Sequence, residues 1–197
     1  FRRVPADSPF GWSARLQIAE NLDALDRTEE AVAELEALAA ERPDSFEPLY
    51  RLGNLLRSKE RFVEAADAYN RAVARLGPAQ PEHWSVYYFR GIAFERADQW
   101  PRAEADLLKA LELRPEQPHV MNYLAYSWVE QGEHLDRALK MLERAVELQP
   151  EDGFITDSLG WVYYRLERYA EAVGHLERAV ELEPMDRECQ KRFLAGY

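Results

Sequence analysis

Thiol chemistry is nearly absent from this chain. Its one cysteine, Cys189, cannot close an internal disulfide and is too few for a thiolate zinc site. A disulfide-free protein can live on either side of a membrane, so the compartment stays open. Positive charge is also scarce. The 197 residues carry 25 Lys and Arg against 36 Asp and Glu, a formal net charge of −11. Neutralising phosphates needs a basic face, so this balance argues against nucleic acid as a partner. No apolar run approaches the ~18–20 residues that cross a bilayer, and no membrane insertion by this segment is expected. The opening FRRVPADSPFGW has no stretch suited to a signal peptide and starts with Phe, so the chain reads as a mature or excised piece. The phosphate-cradling and nucleophile-elbow signatures G-x-x-x-x-G-K-S/T, G-x-G-x-x-G and G-x-S-x-G are missing as well. What remains is apolar enough to fold: 47% hydrophobic and 12% aromatic residues exclude a disordered chain.

Self-similarity dominates that remainder. The segments AEADLLKALELRPEQ, RALKMLERAVELQPED and EAVGHLERAVELEPMD align by eye, and EAVAELEALAAERPDS and EAADAYNRAVARLGPA are weaker copies. An alanine near the start of each falls at Ala31, Ala65, Ala103, Ala138 and Ala172, at spacings of 34, 38, 35 and 34 residues. The four extra residues fit the GPAQPE linker before Trp84, and the single extra one fits the GEHLDR turn. A second ladder runs upstream. Small residues stand at Ala19, Gly53, Gly91, Ala125 and Gly160, and three residues later come Leu22, Leu56, Phe94, Trp128 and Tyr163. Small then large at helical spacing lets two helices approach at one point and lock at the next. Units close on Pro43, Pro115, Pro150 and Pro184, with Gly77-Pro78 in the second, because proline stops a helix.

A helix–turn–helix unit with this register resembles the tetratricopeptide repeat. The residues that carry the resemblance are Leu159, Gly160 and Tyr163, followed by Ala172, Leu176, Ala179 and Pro184. The same frame holds at Leu52, Gly53, Leu56, Ala65, Tyr69 and Ala72, and at Gly91, Phe94, Ala103, Leu107, Ala110 and Pro115. The resemblance implies an all-α, right-handed superhelix, an α-solenoid, of five repeats at 12–45, 46–79, 84–117, 118–152 and 153–186. First helices are expected over 12–25, 46–58, 84–97, 118–130 and 153–166, and second helices over 28–41, 62–75, 101–113, 135–148 and 169–182. Thr28 reads as an N-cap before the acidic turn Glu29-Glu30, and Pro101 suits a first helical position. Residues 1–11, with Phe1 and Phe10, are expected to cover one end of the stack, and a short helix in the tail 187–197 the other.

No chemistry stands out in this frame. His83 and His134 fall in linkers, His119 at a first-helix start and His175 on a second helix. No two are at i,i+4, so all four read as ordinary surface histidines. Cys189 has no activating base beside it in sequence. Glu143 and Glu147 read as solvated outer-face residues with i,i+4 partners. No metal, no cofactor and no catalytic residue is expected.

The resemblance instead implies a groove lined by first helices. The positions that point into it in the family carry over to Leu16, Glu20 and Asp23, then Tyr50, Asn54 and Arg57, then Tyr88, Ile92, Glu95 and Arg96. In the fourth and fifth repeats they are Asn122, Tyr126 and Val129, then Phe154, Asp157, Trp161, Tyr164 and Arg165. Tyr87, Phe89, Tyr123 and Tyr163 are expected in the core. Exposed Tyr, Trp and Arg in one strip suit a binding surface. The family's clamp for a chain-terminal carboxylate needs a lysine four residues before Asn54, and Tyr50 stands there, so a chaperone C-terminus is not the expected ligand. The block from Asn122 to Val173 is similar to the C-terminal repeats of long proteobacterial tetratricopeptide proteins. Some of these are outer-membrane lipoproteins that act as adaptors, for instance bringing substrates to processing proteases. That likeness implies a bacterial periplasmic or outer-membrane-associated protein, with the cytoplasm as the alternative. The sequence thus supports a scaffold binding a protein or peptide partner in its groove. The alternative is an assembly subunit contacted through its convex face or repeat edges.

Overall fold

The alternation of small and large residues becomes ten α-helices among the described residues of the computed structural model, which are 11–184. They are α1 (Gly11–Ala24), α2 (Thr28–Glu41), α3 (Glu47–Ser58), α4 (Phe62–Arg75), α5 (Trp84–Arg96), α6 (Trp100–Leu113), α7 (Pro118–Gln131), α8 (Leu135–Leu148), α9 (Gly153–Arg165) and α10 (Tyr169–Leu182). Each expected helix is present, with ends moved by one residue at most. Of the expected coverings of the stack, residues 1–11 and the tail 187–197, all but Gly11, which opens α1, lie outside the described residues. Among those described, no helix is long and apolar enough to cross a membrane.

The chain forms two compact units, one ending at Leu113 and one starting at Arg114. In the first, α1 packs on α2, α3 on α4 and α5 on α6, while α2 meets α3, α4 meets α5 and α3 meets α5. In the second, α7 packs on α8, α9 on α10, α8 on α9 and α7 on α9. Thus α2, α4 and α8 each bridge two first helices of their unit, and α3 lies beside α5 and α7 beside α9. Both residue ladders supply the contacts. All five ladder alanines are fully buried, and Leu22, Leu56, Phe94, Trp128 and Tyr163 are buried beside them. Gly53 shows why the upstream position must be small. A Cβ there would lie 2.5 Å from the ring of Tyr69, which is itself fully buried.

The turns inside the repeats share one construction. In four of the five, a non-glycine residue takes the left-handed conformation just after the first helix: Asp26, Glu60, Asp98 and Glu167, with φ of 62°, 59°, 57° and 59°. The next residue then donates its backbone N–H five residues back, as Arg27 does to Leu22, Arg61 to Leu56, Gln99 to Phe94 and Arg168 to Tyr163. This is the six-to-one bond of a Schellman motif, and it satisfies a carbonyl that the helix end would leave orphaned. In the fourth repeat Gly132 takes the left-handed place and Glu133 makes the bond to Trp128. His134, also left-handed at φ 51°, is the one added residue.

Two local expectations need correcting. Thr28 is the first residue of α2 rather than its cap; Arg27 occupies the cap, and the Thr28 hydroxyl donates across the turn to Asp23 Oδ1 at 2.8 Å. Glu143 is not simply solvated, because its Oε1 accepts from the Tyr163 hydroxyl at 2.9 Å. Glu147 does keep a helix-surface partner, Arg144, at i−3. Asp152 does cap a helix with its side chain: it accepts from the Ile155 backbone at 3.0 Å and opens α9.

Candidate functional site

In the first unit, the faces of α1, α3 and α5 flank an open cavity of about 490 Å³. Tyr50 and Asn54, two of the expected groove residues, line it together with Phe46, Glu47, Arg51, Ser85, Val86, Glu82 and Glu20. A second cavity of about 270 Å³ continues along the same face and shares Glu20, Arg51 and Asn54, adding Asp23, Leu55 and Ser58. The Tyr50 ring is held in an aromatic cluster, with centroids 6.4 Å from Phe46, 6.2 Å from Tyr69 and 6.3 Å from Phe89. Its hydroxyl and that of Ser85 lie 3.3 Å apart. Asn54 Oδ1 accepts from the buried Tyr69 hydroxyl at 2.7 Å, so the close approach at Gly53 also fixes the amide's direction.

Further along this face the side chains are less free. Arg57 lies over the Phe89 ring at 4.5 Å. Burial pushes the Tyr69 phenol well above its ordinary pKa, and the nearby Arg57 charge only partly opposes that. Tyr88 is shifted up for the same reason; it stacks on Trp84 at 6.0 Å and touches Phe89 at 5.0 Å. Ile92 is half-buried, and Arg96 sits over the Phe62 ring of α4 at 4.7 Å. Leu16 belongs to the core. At Asp23, burial raises the carboxyl's pKa, but hydrogen bonds from Lys59, at 2.9 Å, and Thr28 outweigh it and hold the group below its usual range.

Charge on this face is uneven. Arg51, the one cation in the larger cavity's lining, is shared by two carboxylates, Glu20 and Glu47. Glu82 completes the acidic rim and, among the described residues, belongs to no ion pair. Sequence reasoning missed Phe46, Glu47, Arg51 and Glu82. Phe46 and Glu47 were findable as the residues one turn before Tyr50, on the same helical face.

In the second unit, Trp161 and Tyr164 stack nearly parallel, with centroids 5.2 Å apart and planes at 10°, and Tyr164 meets Tyr169 at 5.6 Å. Trp161 Nε1 donates to Glu130 Oε1 at 2.7 Å. Phe154, one helical face with Trp161, is 53% exposed. Asn122, Tyr126 and Arg165 are half-buried. Val129 and Asp157 are corrections. Val129 is fully buried and Asp157 nearly so, because at their register the helix has turned toward the packing side. Tyr163 is in the core as expected, whereas Tyr87, Phe89 and Tyr123 are only half-buried.

The histidines sit apart. His83 Nδ1 accepts from the Gln80 backbone at 3.1 Å, and His134 meets Trp128 edge-on at 5.2 Å. His175 stacks on Tyr163 at 5.3 Å, and burial lowers its pKa against the pull of Glu143 and Glu171. Among the described residues no three His, Cys, Asp or Glu side chains group closely enough to hold a metal ion.

Known proteins agree with this architecture. The tetratricopeptide repeat family profile matches residues 16–81 and 88–152, and a second profile of the same description matches 157–186. The TPR repeat-containing protein PA4667 of Pseudomonas aeruginosa is 26% identical over 164 residues, covering 83% of this chain and 27% of that protein. The cytochrome c-type biogenesis protein CycH of the same organism is 31% identical over 169 residues, covering 83% of this chain and 40% of its own. The chain thus spans well under half of either relative. Among solved structures, YrrB, described as a TPR protein with an unusual peptide-binding site, superposes with a TM-score of 0.71 at 21% identity, covering 90% of this chain and 89% of that one. MamA of Desulfovibrio magneticus RS-1 gives 0.75 at 21% identity, covering 89% and 97%. Proteins built from this repeat generally act as scaffolds for contact between proteins, and the fold is typically non-catalytic.

Proposed function

We propose, since the chain belongs to the tetratricopeptide repeat family, that the first-helix face of each unit is a docking surface for a segment of a partner protein. The observation that carries this reading is the cavity of about 490 Å³ between α1, α3 and α5, lined by Tyr50 and Asn54. A concave site of this size, lined by aromatic rings together with fixed polar groups, suits a side chain of a bound segment. Tyr50 offers an aromatic surface already ordered by its neighbours, so little rotamer freedom is lost on binding. Asn54 is aligned by Tyr69 and leaves its amide nitrogen for a peptide carbonyl. In this reading Arg57, Tyr88, Ile92 and Arg96 extend the surface of the first unit. Asn122, Tyr126, Trp161, Tyr164 and Arg165 form that of the second, without the buried Val129.

The chain acts as an adaptor, with no catalysis and no cofactor of its own and a protein rather than a nucleic acid as partner. The likeness to envelope repeat proteins, together with relatives in Pseudomonas aeruginosa, supports a bacterial periplasmic or outer-membrane-associated setting, with the cytoplasm as the alternative. A second reading is an assembly subunit contacted through its second helices. It draws on the cavity of about 280 Å³ on the α2–α4 side, where Val63 is 69% exposed.

Cross-linking of partners captured from the native organism separates the two. Cross-links that map to α3, α5, α7 and α9, and capture that is lost with Tyr50→Ala, support the first reading. Cross-links confined to α2 and α4, with capture unchanged in Tyr50→Ala, support the second.

A further inference from the structure

We propose that the cavity between α1, α3 and α5 takes a basic side chain, arginine or lysine, from the partner's segment. The inference rests on the docking reading above and adds the chemistry of the occupant. Three features point the same way. The lining sets Glu20, Glu47 and Glu82 against a single guanidinium, Arg51, so positive charge is short within the cavity itself. Arg51 is already shared between Glu20 and Glu47, and a second cation would let each carboxylate have its own partner. The wall beside them is aromatic, made of Phe46 and Tyr50, and a cation is attracted to a ring face while its aliphatic stem covers the ring.

Other occupants fit less well. An acidic or phosphorylated side chain would meet three carboxylates and an arginine that is already paired. An apolar one would strip water from carboxylates and return no hydrogen bond. Arg57 does not reverse the balance. It lies a turn further along α3, outside the lining, over the Phe89 ring. His83 is held against the Phe46 ring with Nδ1 accepting from a backbone amide.

The test is selection of a randomised peptide library displayed on phage against the full chain. Synthetic versions of the selected peptides are then measured by fluorescence anisotropy. The expected result is a fixed arginine or lysine in the selected peptides, with binding that weakens as salt rises. Glu82→Gln should weaken it by about tenfold, and replacing the peptide's basic residue with glutamine should have little further effect in that variant. Glu82 is exposed and, among the described residues, outside any ion pair, so this substitution leaves folding intact; Glu47→Gln is the second variant, with its circular dichroism melt as the folding control. If peptides without a basic residue bind, and lose binding in Tyr50→Ala but not in Glu82→Gln, the docking reading stands and this inference falls. If no selected peptide depends on Tyr50, or none is selected, the docking reading falls with it. Self-association of the chain that disappears in Glu82→Gln would make a second copy the occupant and would also overturn the inference.

Discussion

Tyr163 commits its hydroxyl and its ring to different helices. The hydroxyl donates to Glu143 on α8, the ring stacks on His175 of α10, and Arg168 lies 4.6 Å from the ring centre. His175 is therefore half-buried, and burial holds its pKa below the ordinary 6.5. The sign of the consequence is fixed. Below about pH 6.5 the unfolded chain binds a proton at this residue that the folded chain resists, so stability falls as pH falls. Urea unfolding at about pH 7.5 and about pH 5.5 should show a smaller pH-dependent loss in His175→Gln than in the parent, since glutamine has no proton to gain. An equal loss in both would mean that other groups carry the acid sensitivity. Nothing in the sequence marked this histidine, because the ring it stacks on, Tyr163, lies twelve positions away in the chain.

Among the elements, repeat register was legible because it is a steric requirement. Gly160 is the clear case: a Cβ there would lie 2.7 Å from Leu176 Cγ, so α9 and α10 touch only if that position stays bare. Gly160→Leu should destabilise by about 1–3 kcal/mol, read as a lower thermal midpoint; an unchanged midpoint would mean that the two helices do not meet there. The turns were far less legible. A left-handed glutamate looks like any other glutamate, and only the Schellman bonds reveal what Glu60 and Glu167 are doing. This makes a second prediction at the same scale. Glu167 stands at φ 59°, where an L side chain is strained and glycine is not, while Glu167→Gly loosens the unfolded chain. The first effect is the larger, and the variant should gain about 0.5–1 kcal/mol in chemical denaturation. The Thr28 cap failed for a related reason. Its hydroxyl was read against its own helix, whereas the nearer acceptor was Asp23 across the turn.

For the whole molecule, the candidate surface was legible where aromatic residues met polar ones at helical spacing, as at Tyr50 and Asn54, or Trp161 and Tyr164. It was not legible where a helix face turns inward, which misplaced Val129, or where the surface runs one turn beyond the repeat's familiar positions, which hid Phe46 and Glu47. A net charge of −11 raises the encounter rate of basic partners and slows acidic ones, in keeping with the acidic cavity of the first unit. The second unit tests the docking reading separately, since its face is aromatic. Trp161 stacks flat on Tyr164, and its indole N–H donates to Glu130 at the surface. If a partner segment covers this face, Trp161→Ala and Tyr126→Ala should each weaken partner binding by about 2 kcal/mol, the usual size for a buried aromatic anchor. Thermal stability should change little in Trp161→Ala, because the ring lies outside the core. Glu147→Lys, on a second helix and paired with Arg144, should leave binding almost unchanged in calorimetric titration with the captured partner. The reverse pattern, normal binding in both aromatic variants and loss in Glu147→Lys, would move the contact to the second helices and make the chain an assembly subunit.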